Sequence, residues 1–492
     1  MTTTWLDRIE RLGNRLPDPA TQFAAGWVLI LALSKLGSAL GWSVADPRDA
    51  AKVVVVRDLL AGDDLTWVLT SPVRNMLDFP PLGLVLVALL GVGVAEQTGL
   101  LSAALRRFVR ALPDRLLTPG VVLAGVLSTV SGDAGYVVLP PLAAALFARA
   151  GRAPVAGAIA VTYGIACGYA ANLLPMPLDP LLSGMTEAAA RSVDPARTIA
   201  PTCNWYFASA SSMLLVAIGW TVTARVTEPA LRAHSTPSAP DEAAVPGEGK
   251  ALVAAGVTLA LVVGAFAFAL LSGPLAGTVE KAPGRIVPAW TEAIVPGILL
   301  GFGLPALVFG VISGRVRNDR DVTEAMTRTM ASMGGYLVLA FFAGQMIAAF
   351  NRSNLSLLLA VSGADTIAAT GAPIALLLLL VMVGTVGIDV LLVSASAKWA
   401  FMAPILIPMF LRLGVVPELV QGAYRVGDSI ANPISPLNPY LLLVLAEVRR
   451  HDPDAGLGTL IARMLPYTLV TLALWPAMLL VWAGLGWPLG PG

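Results

Sequence analysis

Apolar residues run almost unbroken from Ala251 to Leu271, from Ile294 to Ile312 and from Leu465 to Leu485. Each run reaches the roughly 20 residues that a helix, rising about 1.5 Å per residue, needs to cross a hydrocarbon core. Runs at about 22–42, 80–98, 203–224 and 331–350 predict further spans. Runs of this length predict helices rather than a barrel. Four other apolar stretches are interrupted. The pair flanking SGDAGY (131–136) ends near Phe147, and a second pair, 372–393 and 400–411, is pinched at SASAKW (394–399). The segment from Val155 to about Glu187 breaks at AANLLPMPLDP (170–180), and that from 416 to 447 breaks within AYRVGDSIANPISPLNPY (423–440). Prolines at 433, 436 and 439 remove a backbone donor every third residue, so no regular helix can pass through that last stretch.

Arginine clusters at 8–15, 106–115, 149–152, 225–232, 315–328 and 449–450 fix a threading if each faces the cytoplasm. With a cytoplasmic N-terminus, the chain makes about nine transmembrane helices and two re-entrant helical hairpins. Arginines on both sides of 116–147 mean that this pair enters and leaves on one face; the pair 372–411 does so on the other. The order hairpin, broken segment, span then occurs twice in opposite sense, as inverted-topology repeats require. The expected fold is therefore an all-α polytopic membrane protein working as an elevator-type transporter. Residues 1–100 form an N-terminal scaffold with an external segment at 43–79, and 116–225 form the first repeat. A cytoplasmic linker at 226–249 and scaffold spans at 250–352 precede the second, inverted repeat at 372–486. No small-residue cleavage pattern follows the first span, so no removable signal peptide is expected.

Composition agrees. The 492 residues are 56% hydrophobic and only 13% charged, with mean hydropathy +0.76, against about a quarter charged in a soluble domain. A net charge of +1 leaves no footprint for nucleic acid. Cys167 and Cys203 both lie in apolar context and imply neither a disulfide framework nor a zinc site. The two histidines, His234 and His451, fall in predicted cytoplasmic segments, which removes the ligands an intramembrane metallohydrolase needs. The chain reads as no enzyme, with no cofactor beyond a coupling ion, sodium or a proton.

Charges at membrane depth are costly and should face a cavity or a partner. They are Asp133, Asp179, Asp389, Lys398, Arg425 and Asp428. Unwound backbone in the second break, with oxygens of Asp428, Ser429 and Asn432, suits a small cation, while half-helix N-termini suit an anionic substrate group. Asn172, Pro175, Pro177 and Asp179 repeat the pattern in the first break. Simpler roles compete: an Arg425–Asp428 ion pair on one helical face, Lys398 neutralising Asp389, Trp399 and Cys167 as packing, and Glu96 and Glu187 solvated at span ends. With no histidine nearby, proton coupling would fall on Asp179, Asp389 or Asp428.

Segments throughout the chain, GVGVAEQTGLLSAALRR, SGDAGYVVLPPLAAALF, DPLLSGMTEAA, PTCNWYFASAS, SMGGYLVLAFFAGQMIAAFNRSNL, SASAKWAFMAPILIPMF and AYRVGDSIANPISPLNPY, resemble the AbgT family, the p-aminobenzoyl-glutamate transporters. The resemblance implies a homodimer in the bacterial inner membrane, with nine helices and two hairpins per protomer. It implies secondary transport of folate-related aminobenzoates, including export of sulfonamide antimetabolites. By motif it assigns Asp179, Ser396, Trp399, Pro417, Arg425, Asp428 and Pro436 to the substrate path, and Asn172 and Asn432 to a sodium site. Asp389 and Ser429 complete the ion-site candidates. Where family members carry Asn, this chain has Asp389; it also has Pro-Met-Pro after AANLL and Ser-Gly-Asp at its first tip. A sodium-coupled dicarboxylate importer of the same superfold is the alternative, disfavoured by Asp133 at that tip.

Overall fold

The computed structural model describes residues 19–46, 49–79, 81–231, 247–282, 285–389 and 394–491. The predicted arginine cluster at 8–15 and most of the linker at 226–249 lie outside them. Helix α1 (Pro19–Ala39) is followed by an antiparallel hairpin of β1 (Ser43–Asp46) and β2 (Asp49–Val55), then by α2 (Gly62–Thr70) and α3 (Pro72–Leu77). Helix α4 (Pro81–Gln97) bends by 61° into α5 (Leu100–Arg110). The bend falls at Gly99, whose φ of 75° is open to glycine at little cost. Then come α6 (Leu117–Ser128), α7 (Ala134–Arg149), α8 (Pro154–Gly168), α9 (Leu178–Ala190) and α10 (Trp205–Leu231, with a π-helical turn at Thr223–Thr227).

Helix α11 (Glu248–Ser272) leads through a second hairpin, β3 (Thr278–Ala282) and β4 (Arg285–Pro288), to α12 (Ala289–Ile312), α13 (Asp319–Ser332) and α14 (Gly334–Arg352). The last part holds α15 (Leu355–Thr370), α16 (Ile374–Asp389), α17 (Ala395–Arg412), α18 (Pro417–Ala431), α19 (Tyr440–Arg449) and α20 (Leu457–Gly484). Among the described residues seven helices are long and apolar enough to cross a membrane, or up to nine if each sharply bent pair is one span. The polytopic helical class is thus as expected, with four differences. Two short β-hairpins interrupt an otherwise helical chain. The segment 43–79 is structured, α5 and α13 are helices no apolar run announced, and α15 occupies 355–370, where no element was expected. Helix α15 folds back on α16 by 118°, at a Gly371–Ala372–Pro373 turn whose glycine has φ 63°.

Glycines set the packing of the first interrupted pair. A Cβ on Gly125 would meet Val161 O at 2.4 Å, one on Gly164 would meet Val122 O at 2.3 Å, and Gly168 lies against Val126 and Thr129. Helix α6 therefore runs alongside α8 in the same direction. Gly135 meets Ile165 while Gly157 meets Ala143 and Phe147, so α7 runs against α8. The two arms are consequently antiparallel, and their tip at Thr129–Asp133 carries Gly132 with φ 63°. Small residues allow this close approach, which is how helices gain contact where lipid offers no hydrophobic drive. The later half repeats the scheme: Gly427 of α18 packs on Met382 and Thr385 of α16. The halves are also exchanged across one another, α7 packing on α19 and α17 on α9. Helices α10 and α20 join them through Tyr467 with Thr223 (2.7 Å) and Thr227 (2.8 Å), and through Trp475 Nε1 donating to Ser211 Oγ (2.8 Å).

The substitution Gly164→Leu should lower stability by about 1–3 kcal/mol, since overpacking against a backbone carbonyl forces the α6–α8 contact apart. Gly384→Ala, with nothing within 4 Å of its Cβ, should be neutral. Thermal unfolding in detergent of the two variants beside the parent checks both.

Candidate functional site

The two tips and two breaks meet. Residues 129–134 of the first tip, Tyr169 and Met176–Leu178 of the first break, Ser394–Ser396 of the second tip, and Asn432 with Asn438–Tyr440 of the second break line one cavity of about 700 Å³. Leu89–Glu96 of α4 and the α13–α14 junction close its other side. Proline explains both breaks: α8 gives way before Pro175 and Pro177, and α18 stops at Ala431 ahead of Pro433 and Pro436. The freed polar groups are taken up by side chains. Asn438 Nδ2 donates to Asn432 O (3.3 Å) and Asn438 Oδ1 accepts from Tyr440 N (3.1 Å). Asn172 Nδ2 reaches Val126 O (3.0 Å) and Thr129 Oγ1 (2.9 Å), which ties the first break to the first tip. Asn432 Nδ2 donates to Ala166 O (3.1 Å) and so ties the second break to α8.

The charged side chains pair differently from the simplest expectation. Arg425 does not bond Asp428, its neighbour on the same face; its Nη1 lies 2.7 Å from Asp179 Oδ1 and its Nη2 donates to Tyr169 O at 3.1 Å. The reason is register: the start of α9 presents Asp179, whose Oδ2 also accepts from Met176 N (2.9 Å). Asp428 instead binds Lys398, whose Nζ is 2.6 Å from Asp428 Oδ1 and also bonds Asp389. Lys398 is 1% exposed and Asp389 0%, so the neutralising role read for Lys398 is what the geometry shows, extended to two carboxylates. Asp389 Oδ2 is buried and has no hydrogen-bond partner among the described residues.

Trp399 is fully buried, stacked on Tyr424 (ring centroids 4.5 Å, 26°), and its Nε1 donates to Thr186 Oγ1 at 3.0 Å. This is packing behind the cavity wall. Thr186 continues to Gln421 Oε1 (2.6 Å), and Gln421 Nε2 to Asn204 Oδ1 (2.8 Å). Tyr424 donates to Ala395 O, and lies 3.2 Å from Asp428 Oδ1. Of the residues singled out from the sequence, Glu96, Asp133, Pro177, Ser396, Asp428 and Asn432 line the cavity. Asp179, Arg425, Asp389, Trp399 and Asn172 stand behind it, and Ser429 is buried with its Oγ unpartnered among the described residues. Pro436 sits in the second break, while Pro417 opens α18, about 20 Å along the helix from Asn432 at 1.5 Å per residue. Cys167 is buried packing, its Sγ 3.6 Å from Ser429 O.

One of the two span-end readings changes. Glu187 is 4% exposed, pairs with Arg191 and accepts from Ile199 N (2.9 Å). Glu96 is solvent-exposed at its span end, as read, and also lines the cavity. Sequence reasoning also missed a tyrosine cluster. Tyr169 and Tyr440 both donate to the Asp133 carboxylate, and Tyr136 stacks on Tyr440 at 5.1 Å. The available signal was rarity: of only eight tyrosines in the chain, these three stand at the tip and the breaks.

A polytopic helical protein whose broken helices and hairpin tips enclose a cavity is a membrane transporter in class. The comparisons agree. The model of the AbgT putative transporter family matches residues 4–492. The p-aminobenzoyl-glutamate transport protein of Escherichia coli (strain K12) is 34% identical over 500 residues, covering 98% of this chain and 95% of that protein. Among solved structures, the Alcanivorax borkumensis YdaH transporter, described as having an unusual topology, shares 43% identity at a TM-score of 0.91, over 96% of this chain and all of that one. Neisseria gonorrhoeae MtrF, described as illuminating a class of antimetabolite efflux pumps, shares 38% identity at a TM-score of 0.89, over 99% of this chain and all of that one. The chain belongs to the AbgT family, and its function is transport, not catalysis.

Removing one partner of a buried ion cluster leaves uncompensated charge. Lys398→Met should cost about 3–5 kcal/mol, and adding Asp389→Asn should return more than half of it. Unfolding midpoints of the single and double variants in detergent check this; no recovery in the double variant would disprove the shared pairing.

Proposed function

We propose that this protein is an ion-coupled secondary transporter of p-aminobenzoyl-glutamate- and p-aminobenzoate-type compounds, including sulfonamide antimetabolites that it exports across the bacterial inner membrane. The carrying observation is the single cavity on which both tips and both breaks converge. Its volume of about 700 Å³ is within the range that holds a drug-sized ligand. The relatives contribute the substrate class, one named for p-aminobenzoyl-glutamate transport and another as one of the antimetabolite efflux pumps.

In this reading α6–α7 and α16–α17 are re-entrant hairpins and the two halves are inverted repeats, supported by the exchanged packing of α7 on α19 and α17 on α9. Together they move as an elevator against a scaffold of the other helices, with the N-terminus cytoplasmic. The scaffold forms the homodimer contact; α11 keeps Val253, Leu261 and Leu271 at least two-thirds exposed, a face that needs lipid or a second copy. Asp179, Ser396, Trp399, Pro417, Arg425, Asp428 and Pro436 form or support the substrate path. Asn172, Asp389, Ser429 and Asn432 serve the coupling ion, sodium or a proton. Val126 O and Thr129 Oγ1 accept from Asn172 Nδ2, and they are hard oxygen ligands of the kind sodium takes once that amide gives way. At the second tip the Lys398 ammonium already stands between two carboxylates.

Liposomes holding the purified protein should accumulate labelled p-aminobenzoate or p-aminobenzenesulfonamide under a sodium gradient or an equal proton gradient, and the effective gradient names the ion. Asp428→Asn should abolish that flux while expression persists. Absence of flux for both compounds under both gradients would refute the reading.

A further inference from the structure

The cavity wall is acidic and aromatic. Glu96, Asp133 and Asp428 line it, and among the described residues no lysine, arginine or histidine does. Two buried cations behind the wall are spent elsewhere: Lys398, 1% exposed, on Asp389 and Asp428, and Arg425, 5% exposed, on Asp179. Helix N-termini, which otherwise attract anions, offer no substitute. Four of them point at the cavity, and at three of them an amide at or just ahead of the first turn already bonds a side-chain oxygen of this chain. Ahead of α9, Met176 N donates to Asp179 Oδ2 (2.9 Å); in α17, Ala397 N donates to Ser394 Oγ (3.3 Å); at α19, Tyr440 N donates to Asn438 Oδ1 (3.1 Å). At the fourth, α7, Asp133 stands at the N-cap position without capping the helix, its carboxylate accepting from Tyr169 and Tyr440, so that a negative charge already sits at that end. The C-terminal ends of α6, α8 and α18 abut the same space at Thr129, Tyr169 and Asn432, and add partial negative charge.

Beside these groups is a flat aromatic surface. The Tyr440 ring, half-buried, is backed by Tyr136 at 5.1 Å with an interplanar angle of 10°. A second ring laid against it would stack, with its polar edge among carboxylate oxygens that can accept N–H donors.

We infer that this cavity selects aromatic amines carrying no net negative charge: the ring packs on Tyr440, the amino group faces Glu96 and Asp133, and each anionic group added to the substrate weakens binding. The inference rests on the transporter reading and narrows it, because it ranks a neutral aminobenzenesulfonamide above the dianionic p-aminobenzoyl-glutamate for which a relative is named.

A ladder of ligands with one ring and different charge tests it. Direct binding of labelled p-aminobenzenesulfonamide and labelled p-aminobenzoyl-glutamate to the purified full-length protein is measured at neutral pH, with p-aminobenzoate and p-aminobenzamidine as unlabelled competitors. The neutral sulfonamide should bind at least about tenfold more tightly than the glutamyl compound, the amidine should compete at least as well as the sulfonamide, and p-aminobenzoate should fall between. Glu96→Gln, a change on the cavity face of α4 outside the buried ion pairs, should shrink the gap between sulfonamide and glutamyl compound by about tenfold. Equal or tighter binding of the glutamyl compound, or a ladder unchanged in Glu96→Gln, would overturn the inference and leave the transporter reading standing. Binding of neither labelled compound would overturn both.

Discussion

Irregular backbone inside a hydrocarbon layer must find its hydrogen-bond partners within the protein, and the architecture follows from that requirement. Two breaks and two tips each expose amide and carbonyl groups that lipid cannot satisfy. Placed apart, each would need its own polar shell. Brought together they satisfy one another: Asn172 of the first break holds the first tip, and Asn432 of the second break holds α8 of the opposite half. The cavity is what remains between groups that were forced to converge. Glycines at the α6–α8 and α16–α18 contacts then make convergence sterically possible, because a methyl group at Gly125, Gly164 or Gly427 would collide with a backbone oxygen.

Charge pairing links the halves where packing alone would let them slide. Arg425 of α18 grips Asp179 of α9 and the Tyr169 carbonyl, so that one guanidinium spans both broken segments. Lys398 fastens the start of α17 to α16 and α18 through Asp389 and Asp428. Such buried pairs add little net stability compared with apolar packing, yet breaking one is costly, which makes them suited to specifying one arrangement of the two halves.

Most of the helices were legible in the sequence because uniformly apolar runs of span length have few other uses. The breaks were legible through proline. What was not legible followed from the same logic: α5 and α13 are amphipathic and raise no hydropathy signal, and α15 merges with its neighbour in composition until Gly371 and Pro373 are read as a turn. Pairing was harder. Arg425 and Asp428 stand three apart on one helix, and spacing alone favours joining them; only the position of α9 in space offers Arg425 a better partner. The tyrosines at 136, 169 and 440 escaped notice because aromatic residues in apolar segments usually pack, and their convergence on Asp133 needs the fold to be seen.

Asp389 connects these points. The resemblance to the family puts an amide at this place, and with an amide there the Lys398 ammonium would be balanced by Asp428 alone. With a carboxylate, the buried cluster holds two acids and one base, and Lys398 has nothing left to offer a ligand. Asp428 is the member of that cluster that reaches the cavity wall, beside Glu96 and Asp133. A single substitution behind the wall therefore adds to the negative field that Glu96 and Asp133 already set, because charge acts over distances at which packing does not. In a fold whose backbone geometry is so tightly constrained, electrostatics behind the wall is where one family member can diverge from another at least structural cost.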